Sequence, residues 1–176
     1  VNGISTPFEI VSTDIDLDNS VLEEEAPLPG NQLQFLYRED GRGNGSSNTG
    51  YFLHFRQGTM QTGEFTVSSP SANQRINIEA ENINDSDVWL FALDNTGLTK
   101  SIWTKVPAVE GNNAIFNSLS KGVRDYYAVQ TRTNDEISLL FADGTFGNVP
   151  NGPFRVFYRT SANRAMRIAP SELTDI

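Results

Sequence analysis

The chain contains no cysteine and a single histidine, His54. The first absence excludes disulfides, thiolate metal sites and cysteine nucleophiles together. The second leaves a Ser-His-Asp triad only one place to stand, and that place is poor. In YFLHFRQ (51–57) strand alternation sets Phe52, His54 and Arg56 on one polar face, and no G-x-S-x-G elbow accompanies them. Basic residues are scarce too, with 13 Lys plus Arg against 22 Asp plus Glu and a formal charge of −9. An acidic body repels phosphate backbones unless its bases cluster, so nucleic acid is not an expected partner. No apolar run approaches the roughly 18 residues of a membrane-spanning helix, so no membrane partner is expected. The amino terminus, VNGISTPFEI, has no basic region followed by an apolar core and no initiating Met. It reads as the start of a piece of a longer protein.

What is present points to β structure. The chain is 176 residues long and 38% hydrophobic, with 11 Phe and 5 Tyr, enough to bury a core. Short alternating or aromatic runs are separated by clusters of Gly, Asn, Ser and Pro. Strands are expected at 34–38, 51–57, 64–68, 75–80, 88–93, 126–132, 136–141 and 154–159. In RINIEA (75–80) Ile76 and Ile78 face one way, Asn77 and Glu79 the other. Helix is confined to the neighbourhood of Ala114–Leu119 and to a turn after Pro170 that Ser171 would cap. The expected fold is mainly β, antiparallel and sandwich-like or two packed sheets, with little helix. Residues 1–176 are taken as a single β-rich structural domain, with a seam near VPAVEGNNA (106–114) that gives it a two-part construction. DGRGNGSSNTG (40–50) is read as a hairpin tip.

Four constellations bear on chemistry. In DIDLDNSVLEEE (14–25), Asp14, Asp16, Asp18 and Glu25 take the first, third, fifth and twelfth places of a calcium loop. The sixth place is Asn19 where such loops need Gly, and Pro7, Pro27 and Pro29 deny it flanking helices. Ile15 and Leu17 alternating with acids read instead as an exposed strand. Asp85, Asp87, Asp94, Asp135, Glu136 and Asp143 offer carboxylates for glycoside hydrolysis, but no spacing selects a pair. DGRGNGSS lacks the Gly-Lys-Ser/Thr ending of a phosphate loop. Trp89 and Trp103 would suit either a sugar platform or a core. The residues therefore lead to no enzyme, no cofactor and no metal, with a carbohydrate-binding or hydrolytic β-sandwich module as the alternative.

The stretch EISLLFADGTFGNVPNGPFRVFYRTS (136–161) is the densest in turn chemistry. Asp143 can accept backbone hydrogen bonds just ahead of it, and Gly144 takes a positive φ. Phe141 and Phe146 flank the turn and are expected to pack on each other. Gly147 permits a second bend, and Pro150 and Pro153 stiffen the return. These residues make a structural corner with no base, nucleophile or metal set. Beyond it, Arg155, Arg159, Arg164 and Arg167 gather most of the positive charge of the carboxy-terminal part. On a strand, Arg155 and Arg159 share a face, a candidate interface for an acidic neighbour such as Glu23-Glu24-Glu25 of another subunit.

The order of a strand, F-A-D-G-x-F-G, x-x-P-x-G and F-R-V-x-Y-R-T-S resembles the baseplate J-like proteins of contractile phage tails. The likeness is strongest to the large baseplate wedge subunit of T4-like phages. YFLHFRQGTMQTGEF (51–65) and INIEAENINDSDVWLF (76–91) resemble the same subunit in the same order, so the resemblance touches most of residues 51–170. The usual form of the corner has Gly where Ala142 stands. The resemblance implies a fragment of a longer, non-enzymatic structural protein. It implies a homodimer in the full subunit, bound to other baseplate wedge and hub proteins around the tail hub. The implied location is the virion, in the tail baseplate, after assembly in the host cytoplasm. Residues 1–50 carry little of the pattern.

Overall fold

The computed structural model describes residues 6–16, 21–24, 26–27, 36–38, 50–109 and 124–161. The chain forms two compact units, one of residues 1–59 with 165–176 and one of residues 60–164. The protein is mainly β, with little helix, as its alternation implies. Among the described residues the helical content is one 3-10 turn, Thr133–Asp135.

The first unit is built from paired short strands. β1 (Phe8–Val11) pairs antiparallel with β6 (His54–Gln57). β2 (Thr13–Asp16) pairs antiparallel with β3 (Val21–Glu24), and β4 (Leu36–Arg38) with β5 (Gly50–Phe52). Arg38 lies opposite Gly50, and the glycine-rich segment between them, read as a hairpin tip, lies outside the described residues. Arg56 Nε donates to Glu24 Oε2 at 3.3 Å within this unit.

The second unit contains one continuous ribbon of seven strands in the order β7-β13-β9-β10-β11-β12-β8. They are β7 (Thr59–Val67), β8 (Arg75–Ile78), β9 (Ile83–Leu93), β10 (Thr99–Lys105), β11 (Tyr126–Thr131), β12 (Ile137–Phe141) and β13 (Gly152–Thr160). β10 was not among the expected strands. Of its residues only Ile102 and Trp103 are apolar, and its remainder, Thr-Lys-Ser before and Thr-Lys after, resembles loop composition. The joint between β10 and β11 is parallel and covers two residue pairs, Thr104 with Tyr126 and Lys105 with Tyr127. A parallel joint needs a long crossover, and residues 106–125 separate the two strands. Residues 106–109 follow β10, and the rest of the 106–114 stretch lies outside the described residues.

The ribbon is folded over at that joint into two packed leaves, β7-β13-β9-β10 and β11-β12-β8. In a flat sheet β12 and β13 would lie four strand spacings apart, about 19 Å. Instead the rings of Phe141 and Phe154 are 6.1 Å apart, and Trp103 lies edge-on to both at 5.3 and 5.5 Å. Phe65 on β7 stacks on Phe154 from the far edge at 5.3 Å. The core lies between the leaves, with Leu90, Ile137, Leu139, Phe141 and Val156 wholly inaccessible to solvent. Tyr127 is buried there as well, and its hydroxyl donates to the Val88 carbonyl oxygen of the opposite leaf at 2.7 Å. Burial raises the Tyr127 pKa, which keeps that donor protonated.

Candidate functional site

The pairing of β9 with β13 runs in regular register from Phe154 opposite Ala92 to Tyr158 opposite Val88, then slips to Thr160 opposite Ile83. One residue on β13, Arg159, therefore spans four on β9: Asn84, Asp85, Ser86 and Asp87. A polar bulge results, and bulges re-aim side chains. Arg159 points into this one. Its Nη1 donates to Asp87 Oδ2 at 2.8 Å, with the two side chains only 1% and 3% exposed. Asn84 Nδ2 donates to the same Asp87 oxygen at 2.9 Å, and Ser86 Oγ to Asp87 Oδ1 at 3.2 Å. The Arg159 guanidinium also lies over the Trp89 ring, 5.9 Å from its centre.

Two further groups close the outside of the bulge. Lys105 Nζ donates to the backbone oxygens of Asp85 and Ser86 at 3.2 and 2.5 Å. Partial desolvation lowers the Lys105 pKa, opposed by the nearby charges of Asp85 and Asp87. Thr131 Oγ1 donates to Asp85 Oδ2 at 3.3 Å. The acids of this segment thus hold a guanidinium, a hydroxyl and a loop. Among the described residues, no buried side-chain nitrogen or oxygen lacks a hydrogen-bond partner, and no group of three His, Cys, Asp or Glu is arranged to hold a metal ion.

The expected corner lies at the other end of β12. Asp143 Oδ1 accepts from the Thr145 amide at 2.7 Å and from the Phe146 amide at 3.4 Å, and Gly144 has φ +90°. The hydrogen bond from the Thr145 amide leads the causes that lower the Asp143 pKa. A Cβ on Gly147 would come within 2.7 Å of the Ala142 Cβ and 3.3 Å of Tyr126 Cδ2, closer than real side chains allow at the first contact. Ala142 therefore demands a glycine at 147. The flanking rings do not act as a matched pair: Phe141 is fully buried against Trp103 and Phe154, whereas Phe146 is 58% exposed. The return is fastened by the residues just before β11. Arg124 Nη1 donates to the Thr145 oxygen at 3.2 Å, the Asn148 amide donates to the Arg124 oxygen at 2.7 Å, and Asn148 Nδ2 donates to Asp125 Oδ1 at 2.8 Å. Pro150 is buried behind it.

A family model described as a domain of unknown function, DUF8360, matches residues 1–176. The chain belongs to this family. No curated protein and no solved structure matches it.

The candidate interface of the DUF8360 chain needs correction. Arg159 does not share a solvent face with Arg155; it is buried in the bulge, because the register slip after Tyr158 breaks the alternation that would have carried it outward. Arg155 is on the outer face, with its guanidinium on Glu64 Oε1 of β7 at 2.8 and 2.9 Å. Arg164 and Arg167 lie outside the described residues, as do Asp18 and Glu25 of the calcium reading. Asp14 and Asp16 fall on β2, paired with Glu23 and Val21, so the described parts of that segment form a β-ribbon. His54 is exposed on β6. Trp103 is buried in the core and Trp89 is half-buried against Arg159. The bulge partners Asn84 and Ser86 escaped notice; their signal was the polar run N-D-S-D set between Ile83 and Val88.

Proposed function

We propose that this chain is a structural, non-enzymatic module of a phage tail baseplate wedge, assembling with itself and with other wedge and hub proteins in the virion. The observation that carries the reading is where the two tryptophans and the best-placed acid are used. Trp103 fills the core between the leaves, Trp89 lies beneath a buried guanidinium, and Asp87 holds that guanidinium in place. A sugar platform needs exposed aromatic rings beside free carboxylates, and a hydrolase needs two carboxylates facing a cleft. Trp89, Trp103 and Asp87 are instead used in the architecture. The resemblance of the F-A-D-G-x-F-G corner and of the N-D-S-D-V-W segment to wedge subunits supplies the biological setting.

The test is protein composition of purified contractile-tail particles from the source of the chain. Recovery in the baseplate fraction, in fixed ratio to the other tail proteins, is the expected result. Absence from the particles, together with saturable glycan binding by the isolated chain, would replace this reading with the carbohydrate-binding module. Arg164 and Arg167 remain the candidates for contact with an acidic neighbour. Reversing both to Glu is expected to weaken assembly into tails without changing the melting temperature of the isolated chain.

A further inference from the structure

Among the described residues β8 is the last strand of its leaf, with β12 on one side only. The amide of Phe141 donates to the Gln74 oxygen at 3.0 Å, continuing the register in which Leu139 faces Ile76 and Ile137 faces Ile78. Antiparallel ladders alternate, so the peptide groups of Gln74, Ile76 and Ile78 turn toward β12. Those of Arg75 and Asn77 turn toward the open edge, and Glu79, one residue past the strand, is next in the same alternation. The side chains alternate as well: Ile76 and Ile78 are half-buried against the core, while Arg75, Asn77 and Glu79 are exposed. Neither Arg75 nor Glu79 forms an ion pair within the described residues.

We propose that this edge pairs antiparallel with the same edge of a second copy, about a twofold axis through Asn77. That register, and the sequence R-I-N-I-E, match each other at every position. Arg75 falls opposite Glu79 of the second copy, Asn77 opposite its own counterpart, and Ile76 opposite Ile78. The first two kinds of pair are the ones whose backbone groups face outward, so each closes a reciprocal set of N–H···O=C bonds. The isoleucines fall in the closer, non-hydrogen-bonded pairs, where apolar side chains touch best. Asn77 Oδ1 already accepts from Ser138 Oγ at 2.8 Å, which leaves its amide hydrogens to reach across the axis. Opposite charges and the apolar pairs together select the second copy in this register: a slip by two one way leaves Arg75 opposite Asn77, and the other way sets it opposite Glu81 but puts Asn77 opposite Glu79 and Ile76 opposite Ala80. The partner surface is isologous, as a closed twofold contact requires. A contact this short buries less than the roughly 1,200 Å² at which stable interfaces begin, so the dimer is weak and concentration-dependent.

Sedimentation equilibrium of the whole chain over a concentration series tests this. A reversible monomer–dimer equilibrium that weakens with added salt is expected. Glu79→Arg sets guanidiniums against each other at two symmetric places and should raise the dissociation constant about tenfold or more. Arg75→Glu should do the same, and the double swap Arg75→Glu with Glu79→Arg should restore dimerisation, which a merely misfolded variant would not do. A strict monomer at all concentrations would overturn the proposal. So would a dimer whose constant ignores both single reversals. The proposal does not rest on the baseplate reading, and a monomer would leave the particle-composition test standing.

Discussion

The two ends of the second unit use an aspartate in opposite ways. At the bulge, Asp87 is buried and holds a buried guanidinium; at the corner, Asp143 is exposed and holds backbone amides in water. Both shape a connection, but their energetics differ. A buried ion pair offers little net stability over an apolar replacement, because desolvating both charges nearly cancels their attraction, yet losing one partner strands the other charge in the interior. An exposed carboxylate keeps its hydration, so its loss costs only the turn it organises. The bulge should therefore be brittle and the corner forgiving, except at the one place where the corner is tightly packed.

The sharpest way to break this contrast is Arg159→Ala. It leaves Asp87 buried with Asn84 and Ser86 as its hydrogen-bond partners, and should cost about 3–5 kcal/mol in denaturant unfolding. At the corner the largest effect should come from packing: Gly147→Ala drives a Cβ onto the Ala142 Cβ and should cost about 1–3 kcal/mol. Adding Ala142→Gly, which removes the opposing Cβ, should recover part of the loss in the same assay. If Gly147→Ala proved harmless, the close approach would not govern the corner.

The mildest effect should be that of Asp143. Its folded pKa lies below the ordinary value of 3.8, so its stabilisation is complete above that pH and is lost as pH falls through the lowered value. Asp94 behaves alike, held by the Thr96 hydroxyl and by the amides of Leu98 and Thr96. Melting temperature measured between about pH 2 and 6 should fall on the acid side, and Asp143→Asn should flatten part of that fall while changing little at neutral pH. An unaltered acid limb would remove Asp143 from the account.

The same contrast explains what could be read without coordinates. The corner is local: an Asp-Gly dipeptide, a glycine that must bend and prolines that stiffen are all within a dozen residues, and the turn at Asp143-Gly144 was legible for that reason. The strand β8 was equally legible, because R-I-N-I-E alternates without interruption. The bulge is nonlocal. Arg159 and Asp87 are 72 residues apart, and only the slipped register between β9 and β13 brings them together. Without that slip, alternation assigns Arg159 to the face of Arg155, which is where the sequence reading put it. Phe146 marks the same limit at smaller scale, since two rings flanking a turn say nothing of which one the opposite leaf will cover. β10 was missed because its strand character comes from its neighbours, with Trp103 as its one buried side chain.

The most direct test of the account is a thermodynamic cycle at the bulge, with Arg159→Met, Asp87→Leu and both together, each measured by denaturant unfolding. Each single change should be strongly destabilising, and the double variant should recover much of the loss, giving a coupling of about 2 kcal/mol or more. Single changes that cost less than about 1 kcal/mol and simply add would contradict it, because Arg159 and Asp87 would then not be what holds the two strands in their slipped register.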